Sequence, residues 1–311
     1  MQYAGSKYRL KNEIIPIITK NLTPDRCYVE PFAGGLNIIR HIKHSKKIAN
    51  DNNNCLISMW KALQKGWLPK EYYAKDEYED IRKDYQTKGN KYPDYIKGFC
   101  GYTCSYQSLF FRGFSDNGLR RDFQKLAMYR CINGVSFNKE KCNKPFKLDN
   151  IKFENLDYSK LNIPEDSVVF CDAPYKGVTT DGYSDSRKFD YEKYYNWVRA
   201  ISKNNEVYIS ELWMPDDFEV VWEKAHTYQL NKKNRSNKIE KIYKLKQAEK
   251  EKSIHEFTIY LILYLLFLLE NSKIKKEILC TMIFSMFYFQ NGVEYCSNSP
   301  PKTPKYMKMV L

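Results

Sequence analysis

The sequence predicts an α/β protein built on a doubly wound, mostly parallel sheet. Short apolar runs typical of buried strands alternate with helical segments, and a glycine-rich turn follows the first run. Acidic residues follow three of these runs directly, at Glu30, Asp51 and Asp172. This is the layout of a nucleotide-binding β-α-β unit. The predicted strands are 27–29, 47–50, 151–154, 168–171, 206–210, 218–222 and 239–243.

Helices are predicted where apolar residues recur every three or four positions. Residues 8–26 form the first, with a stop near Thr23 and Pro24. A second helix is predicted to begin at Leu36, directly after the turn at Gly34 and Gly35. Tyr191–Lys203 is an amphipathic helix between two strands.

Residues 56–150 lack the strand–helix alternation and are predicted to be mostly helical, forming an insertion in the sheet domain. Between about 93 and 122 the chain is irregular and rich in Gly, Ser, Tyr and Arg. Its aromatic residues fit two interpretations equally, a DNA-reading surface or an ordinary core. Four cysteines in the insertion have unusual spacing for a zinc site, so no metal is expected; they are Cys100, Cys104, Cys131 and Cys142.

The composition suits a polyanionic partner, since the formal net charge is +14 and the pI is near 9.1. Nine cysteines without framework spacing, and no signal peptide, indicate a reducing cytoplasm. Residues 246–311 form a basic and then hydrophobic tail. Its two apolar stretches, 257–269 and 278–289, are each shorter than the ~20 residues of a membrane-spanning helix, so no stable membrane insertion is expected. A helical hairpin, an interfacial segment and an unselected tail remain open for it.

Four short motifs carry the chemistry. The strongest is Asp172-Ala173-Pro174-Tyr175, which follows the apolar run Val168–Cys171. The others stand in order before it: Tyr3-Ala4-Gly5-Ser6-Lys7, the segment 29–35 that reads Val-Glu-Pro-Phe-Ala-Gly-Gly, and Asp51. Together they resemble the S-adenosylmethionine-dependent DNA methyltransferases that modify the N6 amine of adenine, most closely the phage type.

The resemblance covers about residues 1–245 and implies a seven-stranded Rossmann-like methyltransferase sheet. It implies a catalytic domain of residues 1–55 and 151–245, with residues 56–150 inserted to recognise the DNA target. S-adenosylmethionine is the implied cofactor. The residues that the resemblance assigns to its binding are Tyr3, Ala4, Gly5, Lys7, Glu30, Phe32, Ala33, Gly34, Gly35, Asp51, Asp157 and Asp172.

Within this set, a carboxylate at Asp51 can accept both ribose hydroxyls. Lys7 could pair with the cofactor carboxylate. By resemblance, Asp157 meets the adenine ring of the cofactor; otherwise it caps a helix or turn. The family usually has a glycine where this chain has Leu36, which puts close backbone approach there in doubt.

The resemblance gives Asp172-Ala173-Pro174-Tyr175 the catalytic role. The amine of adenine is a poor nucleophile, and a carboxylate and a carbonyl that accept its two N–H bonds make its lone pair available. Asp172 and the Ala173 carbonyl would do this, Pro174 would fix the turn, and Tyr175 would stack on the flipped base. The family normally has proline where Ala173 stands, so this geometry is expected to be looser.

Double-stranded DNA is the implied partner, a cognate restriction endonuclease is a further candidate, and a monomer is expected. Residues 177–188 are predicted to form a loop that closes over the flipped base. Three alternatives stay open: a cytosine-N4 methyltransferase, a DNA-binding relative that has lost catalysis, and an RNA or small-molecule methyltransferase. The predicted DNA contacts are Arg112, Arg120, Arg121, Lys232, Lys233 and Arg235.

Overall fold

The structure is a computed structural model. Of residues 226–231 and 234–238 it describes the backbone alone. The described residues are 1, 3, 5–70, 72–115, 148, 150–176, 189–231 and 234–246. The predicted loop 177–188 therefore lies outside the described part of the chain, as does the predicted tail 246–311 except for its first residue.

Seven described strands form one sheet in the order β3-β2-β1-β4-β5-β7-β6. The first five strands in that order are parallel, whereas β7 is antiparallel to both β5 and β6. The prediction of a mostly parallel α/β sheet is therefore confirmed. The strands are β1 (Tyr28–Glu30), β2 (Lys47–Asn50), β3 (Ile151–Glu154), β4 (Val168–Cys171), β5 (Glu206–Glu211), β6 (Phe218–Asn231) and β7 (Asn234–Leu245).

Helices cover both faces of the sheet, and successive strand residues pack into different cores. In β1, Tyr28 joins the cluster that contains Trp60, whereas Val29 joins the cluster that contains Tyr194. Burial on both faces explains why these strands are apolar throughout rather than alternating. The α-helices of the described residues are α1 (Lys11–Ile18), α2 (Asn54–Gln64), α3 (Lys75–Gln86), α4 (Asp94–Thr103) and α5 (Tyr191–Ile201).

The connection from β1 to β2 differs from the prediction, because no α-helix begins at Leu36. Only a 3-10 turn forms, at Ile39–His41. Leu36 has φ +54°, in the left-handed region, and its side chain is fully buried. A right-handed helix cannot start from that conformation. The first predicted helix is also shorter than expected, since α1 ends at Ile18.

The strands β6 and β7 continue beyond the sheet as a two-stranded ribbon. β5 pairs with β7 between Glu211–Lys241 and Ile209–Tyr243, whereas β6 and β7 remain paired as far as Asn231 and Asn234. Because β6 runs parallel to β5, the ribbon leaves the sheet at the edge where the parallel strands have their carboxyl ends. Within the described part of the chain, no helix is long and apolar enough to cross a membrane.

The helices α2 and α4, which follow β2 in the chain, pack closely against each other at a glycine. A Cβ added to Gly98 of α4 would overlap the Cys55 carbonyl of α2 and approach Met59. The two helices therefore meet with backbone against backbone at this point. Phe99, Tyr102, Phe110 and Phe111 are buried core residues, which decides for these four the question left open by the sequence, whereas Tyr106 is exposed.

We expect Gly98→Ala to lower the free energy of unfolding. Alanine gains about 1 kcal/mol in helix propensity over glycine, but overpacking costs about 1–3 kcal/mol. The measurement is urea denaturation, with Lys61→Ala on the exposed face of α2 as a control expected to be near neutral. An equal or higher stability of Gly98→Ala would contradict the close helix contact.

Candidate active site at the carboxyl edge of the sheet

The site forms where the strand order reverses. β1 and β4 are parallel neighbours, with Val29 opposite Val169, so Glu30 and Asp172 leave the sheet at the same edge. Crevices at such reversal points are where doubly wound sheets bind ligands. A cavity of about 310 Å³ opens there. Its walls include Tyr3, Gly5, Lys7, Glu30, Phe32, Ala33, Gly34, Gly35, Asp51, Asp157, Asp172 and Pro174.

The structure thus brings most of the predicted site residues to one cavity. Of the predicted cofactor residues, only Ala4 lies outside the described part of the chain. Ala173 is buried beside the cavity, and Tyr175 is half-buried next to it.

The turn after β1 needs its glycines because an aromatic ring packs on it. Gly34 has φ +47°, and a Cβ on Gly35 would collide with Tyr3 and Asn37. The indole nitrogen of Trp60 donates a hydrogen bond to the Gly34 carbonyl at 3.0 Å. The close approach that requires glycine is therefore made by Tyr3, a residue of the amino-terminal motif.

Asp51 ties this turn to the end of β2. Its two carboxylate oxygens accept hydrogen bonds from the backbone nitrogens of Gly34, at 3.1 Å, and Asn53, at 2.9 Å. Burial raises the pKa of Asp51 to about 6, and the two backbone donors oppose that rise.

Asp157 lines the cavity and also caps the 3-10 turn Tyr158–Lys160, where it accepts a hydrogen bond from the Ser159 nitrogen at 3.0 Å. Both roles considered for this residue are therefore compatible with its position. Lys193 of α5 stands 3.8 Å from its carboxylate.

Asp172 forms an ion pair with Lys7 at the wall of the cavity. The Lys7 ammonium lies 3.1 Å from Asp172 Oδ1, 2.9 Å from the Gly5 carbonyl oxygen and 4.5 Å from the centre of the Tyr175 ring. Burial raises the pKa of Asp172, and the neighbouring Lys7 charge opposes this. In this structure Lys7 is thus the partner of the strand-end carboxylate.

Sequence reasoning missed three polar residues that support Asp172 and Tyr175. The Tyr175 hydroxyl lies 2.6 Å from Ser210 Oγ and donates to Glu240 Oε2 at 2.8 Å. Glu211 accepts from the backbone nitrogens of Lys176 and Leu212, and burial raises its pKa to about 7. Glu211 is the last residue of β5, just as Asp172 comes directly after β4, so the pattern of acidic residues at strand ends could have identified it. Glu240 lies inside β7, where no sequence pattern distinguishes it.

The predicted DNA contacts are only partly described. Arg112 is exposed after α4, and Arg235 lies in β7 at the outer part of the ribbon, opposite Gln229. Arg120, Arg121, Lys232 and Lys233 lie outside the described residues, as do Cys131 and Cys142. Cys100 of α4 and Cys104, which directly follows α4, are both buried.

The sequence model of the family described as D12 class N6 adenine-specific DNA methyltransferase matches residues 3–197. The chain belongs to this family. The match includes the glycine turn, Asp51 and the Asp172–Tyr175 motif, and it ends before Ser210, Glu211 and Glu240.

Two curated proteins are similar to this member of the D12 family. The modification methylase StsI of Streptococcus sanguinis is 27% identical over 206 residues, and the type II methyltransferase M.FokI of Planomicrobium okeanokoites is 26% identical over 207 residues. Each alignment covers 60% of this chain but only 30% of the relative. The chain therefore spans about a third of the length of these relatives.

Glu30 is a buried acid whose charge can be tested directly. It accepts a hydrogen bond from the Tyr28 hydroxyl at 2.9 Å, and burial raises its pKa from 4.5 to about 8. The folded protein therefore holds a proton there that the unfolded chain releases above about pH 4.5. The contribution of protonated Glu30 to the free energy of unfolding is fully present below about pH 4.5 and is lost as the pH rises through about 8.

We expect Glu30→Gln to remove this loss, because the amide does not titrate. Thermal unfolding of the variant and of the unmodified protein should give similar melting temperatures at pH 5. At pH 9 the variant should melt several degrees higher, since about 1 kcal/mol corresponds to 2–4 °C in a protein of this size. Exposed Glu219→Gln serves as the control. Parallel curves for Glu30→Gln and the unmodified protein would show that Glu30 is ionised in the fold.

Proposed function

We propose that this protein transfers a methyl group from S-adenosylmethionine to the N6 amine of adenine in double-stranded DNA. The observation that carries the proposal is the position of Asp172 on the wall of the cavity formed by the glycine turn and Asp51. Membership of the D12 family supports adenine rather than cytosine as the target. The modification methylases that the chain resembles support a role in DNA modification.

The cavity fits the proposed cofactor in volume and in polar groups. Small-molecule sites have volumes of roughly 300–1,000 Å³ and a few fixed polar groups, and this cavity of about 310 Å³ is lined by Glu30, Asp51, Asp157 and Asp172. Asp51 retains lone pairs beyond its two backbone bonds with which to accept ribose hydroxyls. Burial holds a proton on Glu30 in this structure, and a positively charged ligand beside it would favour its ionised form. When bound, the cofactor supplies an activated methyl group on a sulfonium sulfur.

The protein's own contribution is positioning and hydrogen bonding. Asp172 accepts one N–H bond of the flipped adenine, and the Ala173 carbonyl accepts the other. Pro174 contributes a fixed φ and no N–H donor of its own at this turn. The alanine at 173 keeps the carbonyl that the reaction needs, so its presence leaves the proposed chemistry intact.

DNA would approach along the carboxyl edge of the sheet. The β6–β7 ribbon extends from that edge, and a two-stranded ribbon is narrow enough for the major groove. The ribbon and its connection are rich in Lys and Arg, which supports phosphate contacts by Lys232, Lys233 and Arg235. Recognition of the target sequence by residues 56–150, a partner endonuclease and a monomeric state remain predictions.

We expect the unmodified protein to form N6-methyladenine and Asp172→Ala to lose at least about 100-fold in rate, as for removal of a preorganised hydrogen-bonding group that stabilises the transition state. The assay uses genomic DNA from a methylation-deficient bacterial host, labelled S-adenosylmethionine and mass spectrometry of the nucleosides. Cofactor affinity of Asp172→Ala should stay near that of the unmodified protein. N4-methylcytosine would favour the alternative target, and no labelled nucleoside at saturating cofactor would favour a DNA-binding relative without catalysis.

We expect Asp51→Ala to weaken cofactor binding by about 10- to 100-fold, the effect of losing hydrogen bonds to a charged acceptor. Calorimetry measures the dissociation constant. Asp51→Asn is the matched control, since it keeps an acceptor oxygen for one of the two backbone donors and should bind with intermediate affinity. Binding by the unmodified protein should weaken below about pH 6, where Asp51 takes up a proton. An unchanged constant in Asp51→Ala would exclude Asp51 from the cofactor site.

A further inference from the structure

Glu240 is a buried carboxylate that the motifs do not account for. Its side chain is 8% exposed and lies in β7, beyond the 3–197 span of the family match. A buried carboxylate is costly unless charged or hydrogen-bonding groups compensate for the lost water. At Glu240 the compensation comes from the Tyr175 hydroxyl, 2.8 Å from Oε2, and from the Lys7 ammonium, 3.7 Å from the same oxygen.

These contacts hold the Tyr175 ring at its hydroxyl end. The hydroxyl is fixed by Glu240 of β7 and by Ser210 of β5, so anchors from two adjacent strands restrain the ring. Asp172 and Ser210 also stand next to each other across the sheet edge, since β4 and β5 are paired. The distance between the aromatic face and the carboxylate is therefore set by the sheet rather than by the local turn.

The Lys7 ammonium occupies the space between the Asp172 carboxylate and the Tyr175 ring. Its ammonium lies 3.1 Å from Asp172 Oδ1 and 4.5 Å from the centre of the Tyr175 ring, so it stands between the carboxylate and the aromatic face. Under the proposed function the target base occupies that same space, with its amine at Asp172 and its plane on Tyr175. When the base enters, Lys7 leaves Asp172, and Glu240 is a second carboxylate already within reach.

We propose that Glu240 is a positioning residue for the methyl transfer, because its hydrogen bond to the Tyr175 hydroxyl fixes the ring on which the target base stacks. This inference rests on the proposed function. Glu240 touches neither substrate nor cofactor in this account; it acts through Tyr175. The looser turn expected from Ala173 in place of proline makes this distant anchor more important.

The test compares Glu240→Ala, Glu240→Gln, Tyr175→Phe and the double variant Glu240→Ala/Tyr175→Phe. Loss of a hydrogen bond to a charged acceptor predicts a fall of about 10- to 100-fold in kcat/KM for DNA in Glu240→Ala. Tyr175→Phe should fall by a similar factor, and the double variant should be no worse than the single ones, because all three lack the same bond. Glu240→Gln keeps an acceptor oxygen and should recover most of the activity.

The control is Glu219→Ala, an exposed glutamate of the same hairpin, which should leave kcat/KM unchanged. The dissociation constant for S-adenosylmethionine should be the same in all variants, which separates positioning from general misfolding. A second readout is the fluorescence of 2-aminopurine placed at the target adenine, once the sites methylated by the unmodified protein are known. Stacking quenches this probe, so Glu240→Ala should raise its fluorescence in the complex.

The outcomes separate this inference from the proposed function. If the unmodified protein methylates DNA and Glu240→Ala does so at the same rate, the positioning role is overturned and the function stands. Multiplicative losses in the double variant would likewise overturn it, because the two residues would then act independently. If the unmodified protein does not methylate DNA, the proposed function itself fails.

Discussion

The parallel pairing of β1 with β4 is the constraint on which the site depends. These strands are short, buried on both faces and matched in register, so the residues that follow them emerge side by side. A glycine turn follows one strand and an acidic motif follows the other. Had β4 paired elsewhere in the sheet, Asp172 would stand far from the turn at Gly34 and the cavity between them would not exist.

Burial of acidic groups gives this cavity its electrostatic character. Desolvation raises the pKa values of Glu30, Asp51, Asp172 and Glu211, and the Lys7 ammonium opposes the rise at Asp172 and Glu211. Keeping these carboxyl groups out of water therefore lowers the free energy of unfolding. Such a concentration of perturbed acids in a cleft is typical of sites that bind or transform a ligand.

The sequence predicted the parts of the fold that depend on local patterns. Continuous apolar runs identified the strands, and acidic residues at their ends identified Asp51 and Asp172. The helix predicted at Leu36 was wrong because the left-handed backbone there follows from tertiary packing, which buries the leucine fully. Glu240 and Trp60 escaped notice because each acts through a partner that is distant in sequence, at Tyr175 and Gly34. The roles of Phe99, Tyr102, Phe110 and Phe111 were ambiguous until packing showed them buried, since composition cannot separate a core ring from a surface ring.

The proposed function depends on binding of the methyl donor in the cavity between the glycine turn and the Asp172 motif. Ultraviolet crosslinking of radiolabelled S-adenosylmethionine to the protein, followed by peptide mapping, tests it most directly. We expect the label in peptides that carry residues 28–53 or 168–176, and we expect an excess of unlabelled cofactor to prevent labelling. Labelling that is confined to α3 or α4, away from the sheet edge, and that unlabelled cofactor prevents would contradict binding in this cavity.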